Sequence, residues 1–306
     1  MLLIGENIHI IAPRVKEAIE RADKAVIQDL ARRQVDAGAA VLDLNIGPQR
    51  RLGHEIMPWI VEAVQEAVEV PLSLDTTNLA AMEAGLKVCK SRATLNSASA
   101  DPERLDSVMA LAARYDARVV ALTMGVEGIP TTADGRAAIA LEELLPAAER
   151  HGIDMADVFL DPLVLAVSCN QDVARESVEA IRMFKILSDP PPMTTVGLSN
   201  VSNGCPAETR PLINRVMLVL LLGAGLDSAI ADPLDSEQRE WGRIVEQRDQ
   251  STPLARLVLA LHDASAAMEE LDPGLVDAGD PAQVEVYKTY RMLQNEVIYA
   301  DSYLRI

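Results

Sequence analysis

The chain has 306 residues and a net charge of −18; 49% of its residues are apolar but only 3% are aromatic. This length allows one large α/β barrel or two ordinary domains, and the apolar content is sufficient for a large core. The acidic balance argues against nonspecific nucleic-acid binding, which requires a basic surface.

Cysteine usage and terminal signals narrow the class further. Cys89, Cys169 and Cys205 are widely spaced and form no CxxC pair, so neither a disulfide framework nor a structural zinc site is indicated. The amino terminus, MLLIGEN, lacks a basic region and a long apolar run, and the longest apolar run, around 216–224, is far shorter than a membrane span. We therefore expect a soluble cytoplasmic protein that neither binds nucleic acid nor enters a membrane.

Apolar, β-branched segments alternate with helical patterns along most of the chain. The predicted strands are 2–5, 40–44, 71–74, 93–95, 118–122, 158–160, 194–198 and 227–231. The intervening helices are predicted over about 13–37, 55–68, a segment ending near 88, a segment starting at 101, 134–151 and 172–187, with one more after residue 210. Strands that alternate with helices imply parallel pairing and right-handed crossovers.

Eight such units predict a closed (β/α)₈ TIM barrel in the α/β class rather than an open sheet. An open dinucleotide-binding sheet would carry a GxGxxG turn after its first strand, and Gly5-Glu6-Asn7 is nothing similar. About fifty residues, 236–284, do not follow the repeat; they include a predicted helix over 253–271 and precede a last helix that includes 287–299. We expect one domain, 1–306, with this segment as an insertion on the barrel.

Polar residues follow nearly every predicted strand. Helix N-capping explains about half of them, but Asp43 and Asp161 lie on apolar strands before the loops begin. The stretch 194–215 changes abruptly from an apolar strand to short amide and hydroxyl side chains. Because the strand ends of a barrel converge on one face, this face is predicted to hold a site rich in carboxylates and carboxamides. Its basic residues are predicted to be few, namely His9 and Arg210.

Arrays of Asp and Asn have two common uses. They bind hard cations through oxygen, or they bind a heterocycle, because carboxylates accept from N–H groups while carboxamides donate and accept. A pterin ring presents both kinds of edge. Signatures for hydride transfer, acyl-serine chemistry and Walker-type phosphate binding are missing from the sequence.

A series of short motifs resembles the pterin-binding methyltransferases, in particular methyltetrahydrofolate:corrinoid/iron–sulfur protein methyltransferase and its relatives. The motifs occur in the family's order over residues 1 to about 235 and resume at 295–303. They are GEN (5–7), LDLNIG (42–47), LDTTN (74–78), NS (96–97), LTM (122–124), DPL (161–163), GLSNVS (197–202), RPLINR (210–215) and NEVIYADSY (295–303). The resemblance implies a dihydropteroate-synthase-like TIM barrel that binds methyltetrahydrofolate.

The resemblance also implies roles for individual positions. The positions of Asp75, Asn96 and Asp161 hydrogen-bond the pterin ring, and that of Asn200 meets N5, the nitrogen that carries the methyl group. Asn203 stands where the family usually has Gln, and Arg210 matches an arginine near the folate tail, behind a loop two residues longer than usual. Further pocket candidates are Glu6, Asp43, Asn45, Met124 and Ser199. No metal site is predicted.

The resemblance implies transfer of the N5-methyl group to or from the cobalt of a corrinoid. Since an unprotonated amine leaves poorly, N5 must gain a proton or a strong hydrogen bond as the C–N bond breaks, and Asn200 is the catalytic candidate. The four histidines lack the DxHxxG context of cobalamin-binding domains, so cobalamin is expected on a partner protein. A homodimer is expected from the resemblance alone.

Two alternatives remain at this point. A dihydropteroate synthase would share the barrel and the pterin pocket, but it would need basic groups for a pyrophosphate leaving group and a lysine at the end of strand seven. The chain has LSNVSNGC at that position, which contains no lysine. A non-catalytic pterin-binding protein is the second alternative.

Overall fold

The computed structural model describes residues 1–305, in which eight parallel strands form one sheet in the order β7-β6-β5-β4-β3-β2-β1-β8. Each strand from β1 to β6 pairs with the next strand in sequence, and β1 also pairs with β8, so the sheet curls into a barrel. The strands are β1 (Leu2–His9), β2 (Val41–Asn45), β3 (Leu72–Asp75), β4 (Thr94–Ser99), β5 (Arg118–Leu122), β6 (Val158–Asp161), β7 (Met193–Thr194) and β8 (Ser228–Ala231). The predicted (β/α)₈ barrel is confirmed.

Helices connect the strands and form the outer layer. They are α1 (Pro13–Glu20), α2 (Lys24–Asp36), α3 (Gly53–Gln65), α4 (Leu79–Leu86), α5 (Pro102–Tyr115), α6 (Ala133–Ile139), α7 (Leu145–Arg150), α8 (Val167–Phe184), α9 (Arg210–Gly223), α10 (Ser236–Gln247), α11 (Pro253–Ala267) and α12 (Pro281–Leu293). None of these helices is both long and apolar enough to cross a membrane.

Strand β2 shows how the barrel separates its two faces. Successive side chains of a strand point to opposite sides, so Leu42 and Leu44 face the helices while Asp43 and Asn45 face the barrel interior. Both leucines are fully buried in the main core. The interior of a barrel is usually filled by branched apolar residues, so a buried carboxylate there marks a polar layer beneath the mouth.

A bulge in β1 redirects the side chain of Glu6, one of the predicted site residues. The pairing with β2 advances by three residues on β1, from Gly5 to Ile8, while it advances by two on β2. The backbone N–H of Asn7 donates instead to Oε1 of the buried Gln34, at 3.0 Å. A Cβ atom on Gly5 would lie 2.4 Å from the same oxygen, so only glycine lets Gln34 approach. The extra residue re-aims the side chains that follow it.

Side-chain hydrogen bonds help to close the barrel between β7 and β8. Oδ2 of Asp227 accepts hydrogen bonds from both N and Oγ1 of Thr194, each at 2.8 Å. Beyond them a single parallel bridge joins Gly197 to Ile230. The predicted strand 194–198 is therefore wrong in length: regular pairing ends at Thr194, and 198–202 form a 3-10 turn.

Several helix boundaries also differ from prediction. The helix predicted over 13–37 is interrupted at Ala22, whose φ of 52° ends α1, and Asp23 caps α2. The helix predicted over 134–151 contains a π-helical segment, Ala140–Leu144, between α6 and α7. The last helix ends at Leu293 rather than 299, because Asn295 takes a left-handed conformation and the chain turns away.

The segment 236–284 is helical and contributes no strand to the described barrel. Helix α10 follows β8 and contacts α9, as the eighth helix of the ring would. Helix α11 packs against α9, and α12 packs against α8 and α9, so both lie outside the sheet–helix repeat. The loops that follow the strands form the face that carries the site.

Candidate active site

Four predicted site residues on β2, β3 and β4 lie side by side and form two hydrogen-bonded pairs. Parallel register places Asn45 beside Asp75, and Asp75 beside Asn96. Oδ1 of Asp43 accepts from Oγ of Ser73 at 2.6 Å and from Nδ2 of Asn96 at 3.2 Å. The Nδ2 atom of Asn45 donates to Oδ2 of Asp75. The structure thus brings together residues that are up to 53 positions apart in the chain.

Burial controls the electrostatics of this group. Removal from water raises the pKa of both Asp43 and Asp75 above their ordinary values, and the negative charge of Asp43 raises that of Asp75 further. The hydrogen bond from Asn45 and the charge of Arg104 oppose the rise at Asp75. Two neighbouring buried carboxyls resist simultaneous ionisation, so the pair favours ligands whose N–H groups stabilise the carboxylate form.

Asp161 occupies a separate position at the end of β6. Its Oδ1 atom accepts from the backbone N of Leu163 at 2.7 Å, and its side chain is buried. Burial raises its pKa to about 7, against the hydrogen bond from Leu163 and the positive charge of Arg136. At neutral pH this carboxyl group is therefore close to half protonated. The carboxylate form only accepts hydrogen bonds, whereas the protonated form can also donate one.

Two arginines were not among the predicted site residues, and the expectation of few basic groups is wrong to this extent. Arg104 on α5 donates from Nη2 to the carbonyl of Ser97 at 2.7 Å and from Nη1 to that of Thr77 at 2.9 Å, so it holds the loop after β3 against β4. Arg136 on α6 is fully buried and bonds Pro130 O and Ser177 Oγ.

A signal for Arg104 exists in the sequence. It lies in the first turn of α5, where the helix dipole disfavours a cation. A cation retained at that position indicates partners that outweigh the dipole, and these are the carbonyls of Thr76, Thr77 and Ser97. Arg136 lies in the last turn of the short helix α6, so its position carries no such signal; its environment includes the negative charge of Asp161.

The predicted residues after β7 lie on the 3-10 turn and the loop that follows. Nδ2 of Asn203 donates to Oδ1 of Asn200 at 3.3 Å, and Arg210 donates to Oδ1 of Asn203 at 3.4 Å and to Oγ of Ser202 at 3.3 Å. Asn200 and Asn203 are exposed. These bonds are long, so the loop presents its amides to solvent with weak internal support.

Glycine at position 197 leaves room for the Asn200 amide. A Cβ atom there would be 2.8 Å from Nδ2 of Asn200. The carboxamide therefore folds back over the strand end instead of projecting away from it. This places a group that can donate and accept at the edge of the mouth.

Glu6 on β1 connects the residues on the strands to the loop after β7. Oγ of Ser199, on the β7 loop, donates to its Oε1 atom at 2.5 Å, although 193 positions separate the two residues. Met124 lies half-buried in the loop after β5, where its carbonyl accepts from Ala100. The predicted site residues thus lie on the barrel strands, in the loops that follow them or, for Arg210, at the start of α9. Within residues 1–305 no group of three or more His, Cys, Asp or Glu side chains is arranged to hold a metal ion.

A parallel eight-stranded barrel with buried carboxylates and amides at its mouth defines a class of small-molecule-binding enzyme barrels. Residues 14–232 match the family of pterin binding enzymes, and the chain belongs to this family.

Relatives of known activity place the chain among the methyltransferases of the family. It is 33% identical over 238 residues to methylcorrinoid:tetrahydrofolate methyltransferase of Eubacterium limosum, covering 76% of this chain and 85% of that protein. It is 31% identical over 293 residues to methionine synthase of Mycobacterium tuberculosis, covering 89% of this chain but only 24% of that longer protein.

Solved structures support the fold independently. A dihydropteroate synthase of Coxiella burnetii in complex with pteroic acid superposes with a TM-score of 0.59 at 14% identity, over 87% of this chain and 93% of that one. A dihydropteroate synthase of Yersinia pestis gives a TM-score of 0.58 at 17% identity, over 80% and 93%. At these identities the likeness concerns the barrel.

Proposed function

We propose that the protein transfers a methyl group between N5 of methyltetrahydrofolate and the cobalt of a corrinoid carried by a separate protein. The observation that carries the proposal is the joint presence, at one barrel mouth, of a buried carboxylate–amide set and an exposed carboxamide, Asn200. The name of the Eubacterium limosum relative supports the same pair of substrates.

The buried half of the site fits a pterin ring. The ring has an amino group and an N–H on one side and a carbonyl and ring nitrogens on the other, so it needs acceptors and donors together. Asp75 and Asp161 supply acceptors, and the amide of Asn96 supplies both functions. Because burial raises the pKa of each of these two carboxyls, ring N–H donors would regain part of the cost of ionising them.

Asn200 fits the requirement at N5. The nitrogen carries a proton or a strong hydrogen bond when the C–N bond breaks and a lone pair when it forms. A carboxamide can accept from N5–H through oxygen or donate to the lone pair through nitrogen. A bond that tightens in the transition state raises the rate rather than the affinity. Asn203 and Arg210, which follow on the same loop, are proposed to contact the folate tail.

The rim of the mouth fits a macromolecular methyl acceptor. Ile11, Leu52 and Val126 follow β1, β2 and β5 and are more than half exposed, at 83%, 52% and 75%. Apolar residues that ring a polar pocket are typical of a protein contact surface. The sequence has no DxHxxG segment, which is consistent with a corrinoid delivered by a partner. A single domain with 236–284 as an addition, a homodimer and a cytoplasmic location remain part of the proposal.

The deciding experiment is a methyl-transfer assay with free corrinoid. Purified protein is mixed with methyltetrahydrofolate and cob(I)alamin, and formation of methylcobalamin is followed by absorbance; the reverse reaction starts from methylcobalamin and tetrahydrofolate. We expect transfer in both directions. A protein that binds methyltetrahydrofolate but transfers nothing, with free corrinoid or corrinoid protein, would contradict the proposal. Formation of dihydropteroate from a pterin pyrophosphate and p-aminobenzoate would support the synthase alternative instead.

A further inference from the structure

Glu6 is a half-buried acid on β1 that lies against the loop after β7. The bulge in β1 directs it toward the loop after β7, where its Oε1 atom accepts from Oγ of Ser199 at 2.5 Å. Ser199 immediately precedes Asn200 in the chain. The pair therefore links an ionisable group to the residue proposed to meet N5.

Charged groups from every neighbouring element act on Glu6. Asp232, after β8, and Asp43, on β2, disfavour its ionised form, while Arg210, at the start of α9, favours it. Burial is the largest influence, and together these raise the pKa of Glu6 to about 7, even though the hydrogen bond from Ser199 lowers it. Asp232 is itself held by Nδ2 of Asn7 at 3.0 Å. Glu6 thus exchanges its proton in the neutral range.

Methyl transfer at N5 is coupled to the gain or loss of a proton by that nitrogen. When the methyl group leaves, the electron pair of the C–N bond stays on N5 and N5 gains a proton; when tetrahydrofolate is methylated, N5 gains the methyl group and releases its proton. The side chain of Asn200 can hydrogen-bond N5 in both states but cannot store a proton. A general acid–base with a pKa near the working pH is the most effective partner for such a step.

We propose that Glu6 is the proton-relay residue of the site and exchanges a proton with N5 through the hydroxyl of Ser199. In the demethylation direction the O–H bond of Glu6 breaks as Ser199 passes its own proton to N5, and Glu6 becomes a carboxylate. In the methylation direction Ser199 takes the proton from N5 and donates to Glu6, which is the orientation that the structure shows. A hydroxyl serves both directions because it is donor and acceptor at once.

The test rests on the proposed methyl transfer and uses single-turnover rates across pH, with free cobalamin as partner. For wild type, we expect demethylation of methyltetrahydrofolate to slow as pH rises through about 7, because the protonated form of Glu6 is lost. Methylation of tetrahydrofolate should slow as pH falls through the same range. Glu6→Gln, which keeps the size but cannot titrate, should lose this inflection and slow transfer about 10²-fold.

Two further variants separate a relay from a structural role. Ser199→Ala removes only the hydroxyl and should reduce the rate by a similar factor, with folate affinity within about threefold of wild type. Glu20→Gln, an exposed acid on α1, is the matched control and should keep the rate and the inflection. Thermal unfolding confirms that each variant is folded.

The outcomes are distinct. A folded Glu6→Gln or Ser199→Ala protein that retains the wild-type rate and inflection would overturn the relay while leaving the methyltransferase assignment intact. Equal loss of rate at all pH values, with the inflection still present in Glu6→Gln, would also overturn it. Wild-type protein that binds methyltetrahydrofolate but transfers no methyl group would instead contradict the proposed function.

Discussion

The two halves of the barrel mouth are built differently. On β2 to β6, Asp43 and Asp161 are buried and hold hydrogen bonds of 2.6 and 2.7 Å. On the β7 loop, Asn200 and Asn203 are exposed and share a bond of 3.3 Å. The first half is positioned by strands and the second by a loop.

The difference matches the two tasks proposed for the site. Groups on strands are held more accurately than groups on loops, which suits recognition of a flat ring with fixed donors and acceptors. A weakly supported carboxamide costs little to reorient, which suits a nitrogen that changes its proton count during the reaction. Ring binding should therefore depend on the strand half, and the methyl-transfer rate on the loop half.

Asn200→Ala is expected to have the largest effect. If Asn200 stabilises N5 as charge develops, its loss should slow single-turnover methyl transfer about 10²–10³-fold, as does removal of one oxyanion-hole donor. Affinity for methyltetrahydrofolate should change less than the rate. Gln250→Ala, which removes an exposed carboxamide between α10 and α11, is the matched control and should keep the wild-type rate. Near-wild-type transfer by folded Asn200→Ala would exclude Asn200 from the mechanism.

Asp161→Ala tests the strand half. Leaving a ring donor without its acceptor should weaken methyltetrahydrofolate binding by about 1–3 kcal/mol, measured by calorimetry. Asp161→Asn, which keeps one acceptor oxygen, should lose less. Unchanged affinity in Asp161→Ala would mean that the ring is bound elsewhere.

The buried carboxyls also predict how stability depends on pH. Because burial raises the pKa of Asp161 to about 7, the folded protein keeps a proton that the unfolded chain has already released, so this contribution is full below about pH 4 and is lost as pH rises through 7. Asp161→Asn removes that loss.

Between pH 5 and pH 8 wild type should therefore lose roughly 2 kcal/mol more unfolding free energy than Asp161→Asn. Urea unfolding at the two pH values measures the difference. Parallel pH dependences of the two proteins would show that Asp161 ionises freely in the folded state.

Arg210→Ala should have the smallest effect. Its bonds to Ser202 and Asn203 are long, so unfolding free energy should change by less than about 0.5 kcal/mol. If Arg210 contacts the folate tail, KM for methyltetrahydrofolate should rise by less than about tenfold with kcat retained. The same variant assayed with a methylated pterin that lacks the tail should match wild type, and an equal rise in KM for both substrates would place Arg210 elsewhere.

The sequence by itself determined the barrel and much of the strand half of its site. Strand β5 was predicted at its observed bounds, Arg118–Leu122, because a short continuous apolar run bounded by turn signals is typical of a buried strand. Asp43 and Asp161 were identified because a carboxylate within an apolar strand cannot be explained by capping. The converging ends of parallel strands then placed them on one face.

Tertiary structure alone decided the contacts between distant segments. The bulge in β1 depends on Gln34 inserting beside Gly5, and the Glu6–Ser199 bond joins the first strand to the seventh. The partners of Arg104 and Arg136 likewise depend on how their helices pack against the ends of the strands. Local pattern fixes which face a side chain occupies, but the partner it meets depends on register, bulges and loop closure, which arise only when the whole ring is assembled.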